Sequence, residues 1–485
     1  MVNLLDRTAQ AARQRLSSVI AAPAPRPVDN ALWKLSRRGQ VTALAEPPAG
    51  SGLRPVLGDY GLPLVGHLID YIRFGTDYAR ERHQRFGPVS WMGAFGTKIV
   101  NISGPEATQV AFANKGKVFS QEGWVFLIDQ FFRRGLMLLD FEEHLSHRRI
   151  MQEAFTRDRL TGYVDQFVPE IRRKVPAWGT GGRVRLYWAL KRLTLDVATR
   201  VFMGLESGPE AERINQSFVA TVRAATSMVR RPIPGTRWRA GVQGREYLEQ
   251  YFASKLPAKR ARGGDDLFAA LCEVTTKEGE RFSDEDIINH MIFLMMAAHD
   301  TATITSAATA YLLAKHPEWQ ERAREESREL GREPLDIHGL ERLETLDMII
   351  KEALRMCAPV PSLMRKTVRD TEVAGYYIPA NTVVGISPVV NHYLPEYWTN
   401  PDTFDPLRFS EERREDKSHR FAWVPFGGGA HKCIGMHFGT FEVKAILHEM
   451  LLNYRWRVAD GYQVRWDNTS LPVPVDGLPV QLLRC

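Results

Sequence analysis

Cysteine is scarce in this chain: four among 485 residues, at positions 272, 357, 433 and 485, with no CxxC pair. That spacing excludes a disulfide scaffold and a zinc ribbon, and it is the usage expected of a reduced, cytoplasmic compartment. Long apolar runs are also lacking. The greasiest stretch, residues 291–298, is closely flanked by His290, His299 and Asp300, which marks a buried core helix rather than a bilayer span. The start offers no continuous apolar core for a secretory signal, because Asp6, Arg7, Arg13 and Arg15 interrupt it. Internal repeats and low-complexity tracts are missing. Charge excess is small: 64 basic against 57 acidic side chains give +7. A nucleic-acid binder would gather such charge into one stripe, so no nucleic-acid partner is expected.

What is present describes an ordinary globular protein, 44% hydrophobic and 25% charged. Its length suits either two or three domains or one large interwoven one. Leu5, Ala9, Ala12, Leu16 and Ile20 share one helical face, and Arg26, Lys34, Arg37 and Arg38 follow. The pattern fits a basic amphipathic helix resting peripherally on an anionic membrane, or a loosely docked N-terminal helix. Residues 23–27 and 47–58, rich in Pro and Gly, read as linker and turn. Strand-like runs occupy 89–102, 373–378, 382–386, 462–466 and 480–483, and residues 105 to about 315 are mostly helical. Loops are expected near 179–182, 232–235 and 261–265. Pairing of the early strands with those past residue 370 would make one mainly α domain, 51–485, with small peripheral β-sheets behind an extension of residues 1–50.

The most informative segment is Pro425-Phe426-Gly427-Gly428-Gly429-Ala430-His431-Lys432-Cys433-Ile434-Gly435. Consecutive glycines admit backbone conformations closed to other residues and let a flat object approach the main chain. A single thiol follows, then a helical pattern over 436–452. A cysteine at such a junction lies near unpaired N–H donors and the positive end of a helix, and both favour thiolate over thiol. A phosphate loop would need Gly-Lys-Ser/Thr or GxGxxG, and a zinc site would want a second cysteine at short spacing. A buried, inert cysteine and an iron-porphyrin ligand remain as the two readings.

A second segment stands inside the apolar helix expected from Ser283, its cap, to Lys315, before His316-Pro317 stops it. At 1.5 Å per residue this helix would span about 48 Å. At its middle stand Ala297-Ala298-His299-Asp300-Thr301-Ala302-Thr303. An acid and a hydroxyl there are costly unless used. Thr301 can bond back to the carbonyl of Ala297, loosening the helix locally. Glu352 and Arg355, three apart, can interact on one helical face.

Phe426-x-x-Gly429-x-His431-x-Cys433-x-Gly435 resembles the haem-binding signature of the cytochrome P450 superfamily, and the resemblance extends from about residue 55 onward. It implies that family's fold, with haem b between a long central helix and the cysteine loop, and Cys433 as axial ligand of the iron. Phe426, Gly429, His431 and Gly435 would shape the cofactor site. His431 stands where the family most often has arginine for a propionate, as in the sterol 14-demethylase and retinoic-acid hydroxylase branches. Arg365, after Pro359 and Pro361, resembles the propionate-binding arginine, and His144 and Arg148 resemble the basic pair on a flanking helix. The loop 401–409 resembles the one whose arginine, here Arg408, joins Glu352 and Arg355 in a buried structural triad. Asp300 and Thr301 resemble the proton-delivery pair, with Ala298 and Ala302 departing from the usual Gly and second hydroxyl residue. Phe126, Ala297 and Leu363 would line the substrate pocket, and Trp124, Phe131 and Phe132 would be either pocket anchors or core.

The resemblance implies a monooxygenase that inserts one oxygen atom of O2 into a C–H bond of a lipophilic substrate, of sterol, terpenoid or fatty-acyl type. All 485 residues are taken up by the haem domain and its extension, so electrons would come from a separate ferredoxin or flavoprotein. Arg148, Arg149 and Lys432 would steer such an acidic donor. Two alternatives are a haem-thiolate isomerase, dehydratase or peroxygenase, and a non-catalytic haem- or lipid-binding protein.

Overall fold

A computed structural model describes residues 26–179, 182–225, 227, 229–331 and 335–485, so the stripe from Leu5 to Ile20 lies outside the described residues. Helices of seven residues or more begin with α1 (Arg26–Ser36), α2 (Leu68–Phe74), α3 (Thr76–Phe86), α4 (Pro105–Ala113) and α5 (Glu122–Phe132). There follow α6 (Phe141–Gln152), α7 (Arg157–Lys174), α8 (Leu186–Met203), α9 (Pro209–Ala225), α10 (Arg237–Arg262) and α11 (Leu267–Glu273). The last are α12 (Asp284–Lys315), α13 (Pro317–Leu330), α14 (Glu344–Met356) and α15 (Met436–Asn453). The largest sheet is built from β1 (Thr42–Ala43), β2 (Leu57–Asp59), β3 (Val89–Ala94), β4 (Thr97–Ile102), β5 (Phe119–Ser120), β6 (Leu363–Thr367) and β7 (Val383–Ile386). The described residues form two compact units: one from residues 26–126, 352–433 and 465–475, the other from within 127–351, 434–464 and 476–485.

In the first unit the seven strands run in the order β1-β2-β3-β4-β7-β6-β5. β3 and β4 form an antiparallel hairpin, and β4 pairs parallel with β7, setting Ile102 beside Ile386. This is the expected pairing of an early strand with one past residue 370. Val89, Trp91, Val100, Ile102, Val384 and Ile386 pack with Phe112 of α4 and with Phe421 and Val424, which fixes the approach to the cysteine loop. Three local expectations are corrected. Residues 373–378 are not one strand, because Ala374 (φ 50°) and Gly375 (φ 80°) turn the chain between Thr371–Val373 and Tyr376–Ile378. Residues 462–465 are not strand, since Gly461 at φ 71° and the Tyr462 N–H on the Ala459 carbonyl close a turn; only Trp466–Asp467 pairs, with Val473–Pro474. The expected linker at 23–27 ends sooner, as α1 already starts at Arg26; proline in a first helical turn forfeits no bond.

The second unit is organised on α12. Ser283 caps it by accepting the Asp286 N–H at 3.1 Å, and Asp284, Glu285 and Asp286 fill its positive end. It runs 32 residues to the His316-Pro317 stop, and most of its length is buried, which explains its nearly all-round apolar surface. α8, α10 and α15 pack along it. α9 and α10 approach closely because Gly241 and Gly244 lack side chains: a Cβ on Gly241 would lie 2.2 Å from the Ala224 methyl. The expected strand near the C-terminus is Pro479–Arg484, paired with Tyr454–Arg457 and Arg183–Arg185. Among the described residues no helix is long and apolar enough to cross a membrane.

Candidate active site

In the first unit the chain from Val424 to Cys433 folds back on itself. Cys433 donates its N–H to the Phe426 carbonyl at 2.9 Å, and Lys432 donates to Gly429 at 3.2 Å across a single 3-10 turn, Gly429–His431. The three glycines serve different ends. A Cβ on Gly429 (φ 65°) would lie 1.9 Å from the Phe112 carbonyl, and one on Gly428 2.8 Å from the Phe421 ring, so both are required for packing on α4 and its surroundings. A Cβ on Gly427 (φ 68°) would meet nothing closer than 3.9 Å, where Leu363 of β6 is one of two neighbours. This glycine offers the open main-chain face that a flat group needs. The Cys433 side chain is exposed, unlike that of an inert core cysteine, while Cys272 is buried. An accessible cysteine beside an open glycine face fits the donor set of an iron porphyrin.

Two residues that the sequence did not single out hold this loop. His392 is buried: its Nε2 accepts the Val424 N–H at 3.0 Å, which leaves Nδ1 to donate to the Arg355 carbonyl at 3.2 Å. Burial, reinforced by the Arg355 charge, pushes this imidazole down to about 3, so it stays neutral. Asn391 accepts the Gly104 N–H at 2.8 Å and donates to the Phe421 carbonyl at 2.9 Å.

Glu352, Arg355 and Arg408 meet as expected, and all three are fully buried. Arg355 grips the carboxylate with two bonds of 2.7 and 2.8 Å, while Arg408 Nε and the Asp405 N–H each donate to Oε1 at 3.0 Å. A further carboxylate completes the charge balance: Glu415 accepts from Arg408 Nη1 at 2.8 Å. Arg355 Nη1 also reaches the His392 carbonyl at 2.7 Å, so ion pairs and cysteine loop form one connected network. Arg365 is buried on β6 opposite Val384, one guanidinium nitrogen on the Met364 carbonyl at 2.7 Å. His431 is half-buried, as are Leu363 and Phe426, and Phe126 is 74% exposed on α5.

The second unit carries the other candidates. Asp300 is buried on α12, its Oδ1 2.8 Å from Lys191 Nζ of α8 and 3.2 Å from His299 Nε2. Burial alone would raise this carboxyl, yet His299 and Lys191 hold it well below the ordinary carboxylate range. The Tyr187 hydroxyl, buried and without a hydrogen-bond partner, is pushed up by burial and by the Asp300 charge. Thr301 bonds back to the Ala297 carbonyl at 2.8 Å and the Ala298 carbonyl at 3.3 Å, but the helix stays α-helical throughout, so the expected loosening is absent. Intact main-chain bonding tolerates a side chain that shares a carbonyl already in use. Ala297 is exposed and Thr301 half-buried, near the middle of α12. His144 is buried and Arg148 half-buried on α6, and Gly435 immediately precedes α15. His147, beside them, joins α6 to α12 through a 2.9 Å contact with His290. Phe131 and Phe132 are fully buried and belong to the core, not to a pocket.

Comparison with known proteins agrees with this chemistry. The profile of the cytochrome P450 family matches residues 56–475. Cytochrome P450 136 of Mycobacterium tuberculosis is 51% identical over 445 residues, covering 90% of each chain. The sterol 14alpha-demethylase of Mycolicibacterium vanbaalenii is 26% identical over 431 residues, 86% of this chain and 93% of its own. The solved structure of retinoic acid-bound cyanobacterial CYP120A1 superposes with a TM-score of 0.79 at 26% identity, covering 88% of this chain and 99% of that one. The chain therefore belongs to the cytochrome P450 family, the haem b-dependent monooxygenases, and has that family's mainly α fold with small sheets.

Proposed function

We propose that this P450 inserts one oxygen atom of O2 into a C–H bond of a lipophilic substrate of sterol, terpenoid or fatty-acyl type, with electrons from a separate ferredoxin or flavoprotein. The haem domain is residues 51–485. Haem b, when bound, would supply the oxygen-activating chemistry, and Cys433 would hold its iron. The observation that carries this reading is the exposed Cys433 thiol on a loop fastened by its own N–H to Phe426. Gly427 admits the porphyrin plane, and Gly429 and Gly435 let the loop turn. His431 and Arg365, and likewise His144 and Arg148, are the propionate partners; a guanidinium suits a carboxylate by charge and by its forked donors.

Asp300 takes protons from solvent and passes them to the Thr301 hydroxyl. The contacts with Lys191 and His299 disfavour the protonated carboxyl, so Asp300 must leave the Lys191 Nζ before it can take up a proton and hand it on. On α12, Ala297 and Thr301 would border the reacting C–H group. The lipophilic class is supported by relatives named for sterol demethylation and by a structural neighbour solved with retinoic acid.

The test is spectroscopic and then chemical. Reduced protein under carbon monoxide should show the red-shifted Soret band of thiolate-ligated haem, and Cys433→His should lose that band while still binding haem. Incubation with a lipid panel and surrogate electron donors should then yield products one oxygen heavier by mass spectrometry. An unshifted Soret band in the wild-type protein overturns the ligand assignment; a normal band with no oxygenated lipid overturns the substrate class.

A further inference from the structure

The three-stranded sheet of the second unit has two unlike faces. Its strands, Tyr454–Arg457, Pro479–Arg484 and Arg183–Arg185, pair antiparallel, with Gln481 opposite both Arg457 and Arg183. Side chains alternate along a strand, and Tyr454, Trp456, Val480 and Leu482 are buried on one side. The register puts Arg455 and Arg457, then Gln481 and Leu483, then Arg183 and Arg185 on the other. All four of those arginines are exposed, and no acid occurs in any of the three strands. The short strand is fastened where it ends: Leu186 donates its N–H to the Leu478 carbonyl at 3.0 Å, and Tyr187 donates to Gly477 at 3.1 Å.

Like charges set side by side on a sheet face cost stability unless something answers them. Arg455 is answered, because Glu321 accepts two of its N–H groups at 2.9 and 2.8 Å. Arg183, Arg185 and Arg457 form no ion pair among the described residues. Arg457 donates Nε to Gln481 Oε1 at 2.9 Å, a bond that orients the guanidinium and keeps its two Nη groups for another acceptor. Beside them lies a hollow of about 300 Å³, lined by Arg183, Arg457, Gln481, Pro479, Tyr462 and Asp460 among others.

Two strand spacings, about 10 Å at the backbone, separate Arg457 from Arg183. Guanidinium arms span that gap when they converge on linked phosphoryl groups, whose oxygens each fork matches in pairs. Asp460 is the one carboxylate of the lining, and it suits a ligand that carries hydroxyl groups at that end. A flat anionic surface or an extended acidic segment would draw on the whole face, where Arg455 is already matched by Glu321; the hollow favours a compact ligand. We propose that it binds a small molecule with two or more linked phosphoryl groups, as in a nucleoside diphosphate, through Arg183 and Arg457. The inference does not rest on the role of Cys433 or on the substrate class.

Full-length, haem-loaded protein should bind pyrophosphate and adenosine diphosphate saturably in titration calorimetry, and adenosine not at all. Arg183→Gln with Arg457→Gln should weaken both phosphates by about tenfold or more, with the carbon monoxide spectrum unchanged. Gln481→Glu sets a carboxylate between the two arginines, so it should lose the same affinity yet melt no lower than wild type. Arg262→Gln with Lys277→Gln removes equal charge from exposed cations at the end of α10 and in the loop before α12, and should keep the affinity. Tighter binding of the diphosphate than of pyrophosphate supports a nucleotide, and equal binding supports recognition of the phosphates alone. No saturable binding of either phosphate, affinity unchanged in the arginine pair, or an equal fall in the control pair overturns the proposal.

Discussion

Thr301 is one of several threonines on α12 that bond back to a carbonyl; Thr303, Thr305 and Thr309 do the same. Surroundings separate them, because the other three are buried and Thr301 borders the open face at Ala297. Thr301→Ala should therefore leave the fold intact and reductant consumption running, while product per reductant falls by about tenfold or more and peroxide takes its place. Lys191→Met removes the ammonium that, together with the His299 contact, holds the Asp300 carboxyl down. The Asp300 pKa should rise, and the acid limb of coupled turnover should move to higher pH, read as product per reductant across a pH series. A third residue acts on stability. Burial pushes Glu442 on α15 up to about 8, so the folded chain holds a proton there that the unfolded chain releases near the ordinary carboxylate pKa. Stability from this group is full below that ordinary value and is lost as pH rises toward about 8. Glu442→Gln keeps the neutral form without that loss, so its melting temperature should exceed wild type by a margin that widens from acid to mildly alkaline pH. Asp300 and Thr301 were legible in sequence because polar residues inside an apolar helix need a reason; Lys191 was not, because it reaches Asp300 from another helix, 109 positions away.

At the level of elements, the buried ion-pair network is the joint between α14 and the loop that leads to Cys433. Glu352 holds two guanidinium groups and a main-chain N–H at once. Glu352→Ala leaves buried positive charge uncompensated, at a cost of about 3–5 kcal/mol. The expected outcome is protein that purifies without haem, checked by the ratio of Soret to protein absorbance; normal occupancy would refute the role. Glu352, Arg355 and Arg408 could be picked out because their spacing and flanking prolines carry a recognisable pattern. Glu415, His392 and Asn391 could not, since each is a single residue in an irregular stretch whose partner is set only when the chain closes. Strand limits failed for a related reason. The 373–378 run has strand-forming residues at both ends, but Ala374 and Gly375 adopt positive φ and turn it. Phe131 and Phe132 had to be left open, because apolar residues look alike in sequence whether they line a cavity or fill a core.

For the molecule as a whole, net charge and family membership bear on the encounter with an electron donor. The chain carries +7, and Arg149 and Lys432 are exposed. If an acidic ferredoxin docks through such charges, its KM should rise severalfold as salt screens them, about 10 Å being the screening length at 0.1 M, while peroxide-driven turnover stays level. The mainly α class, the long central helix and the cysteine loop were all readable from periodicity and one dense motif. The interleaving of segments into two units was not, because no local pattern records which distant strand will close a sheet.

That closure has a consequence for synthesis. The edge of β4 opposite β3 pairs with β7, so Ile102 leaves the ribosome long before Ile386 exists to meet it. In the interval a hairpin rich in β-branched residues carries an uncovered edge, the kind of edge that seeks neighbouring copies. Expression yield should thus depend more on elongation speed and chaperone supply than on the final stability of the enzyme.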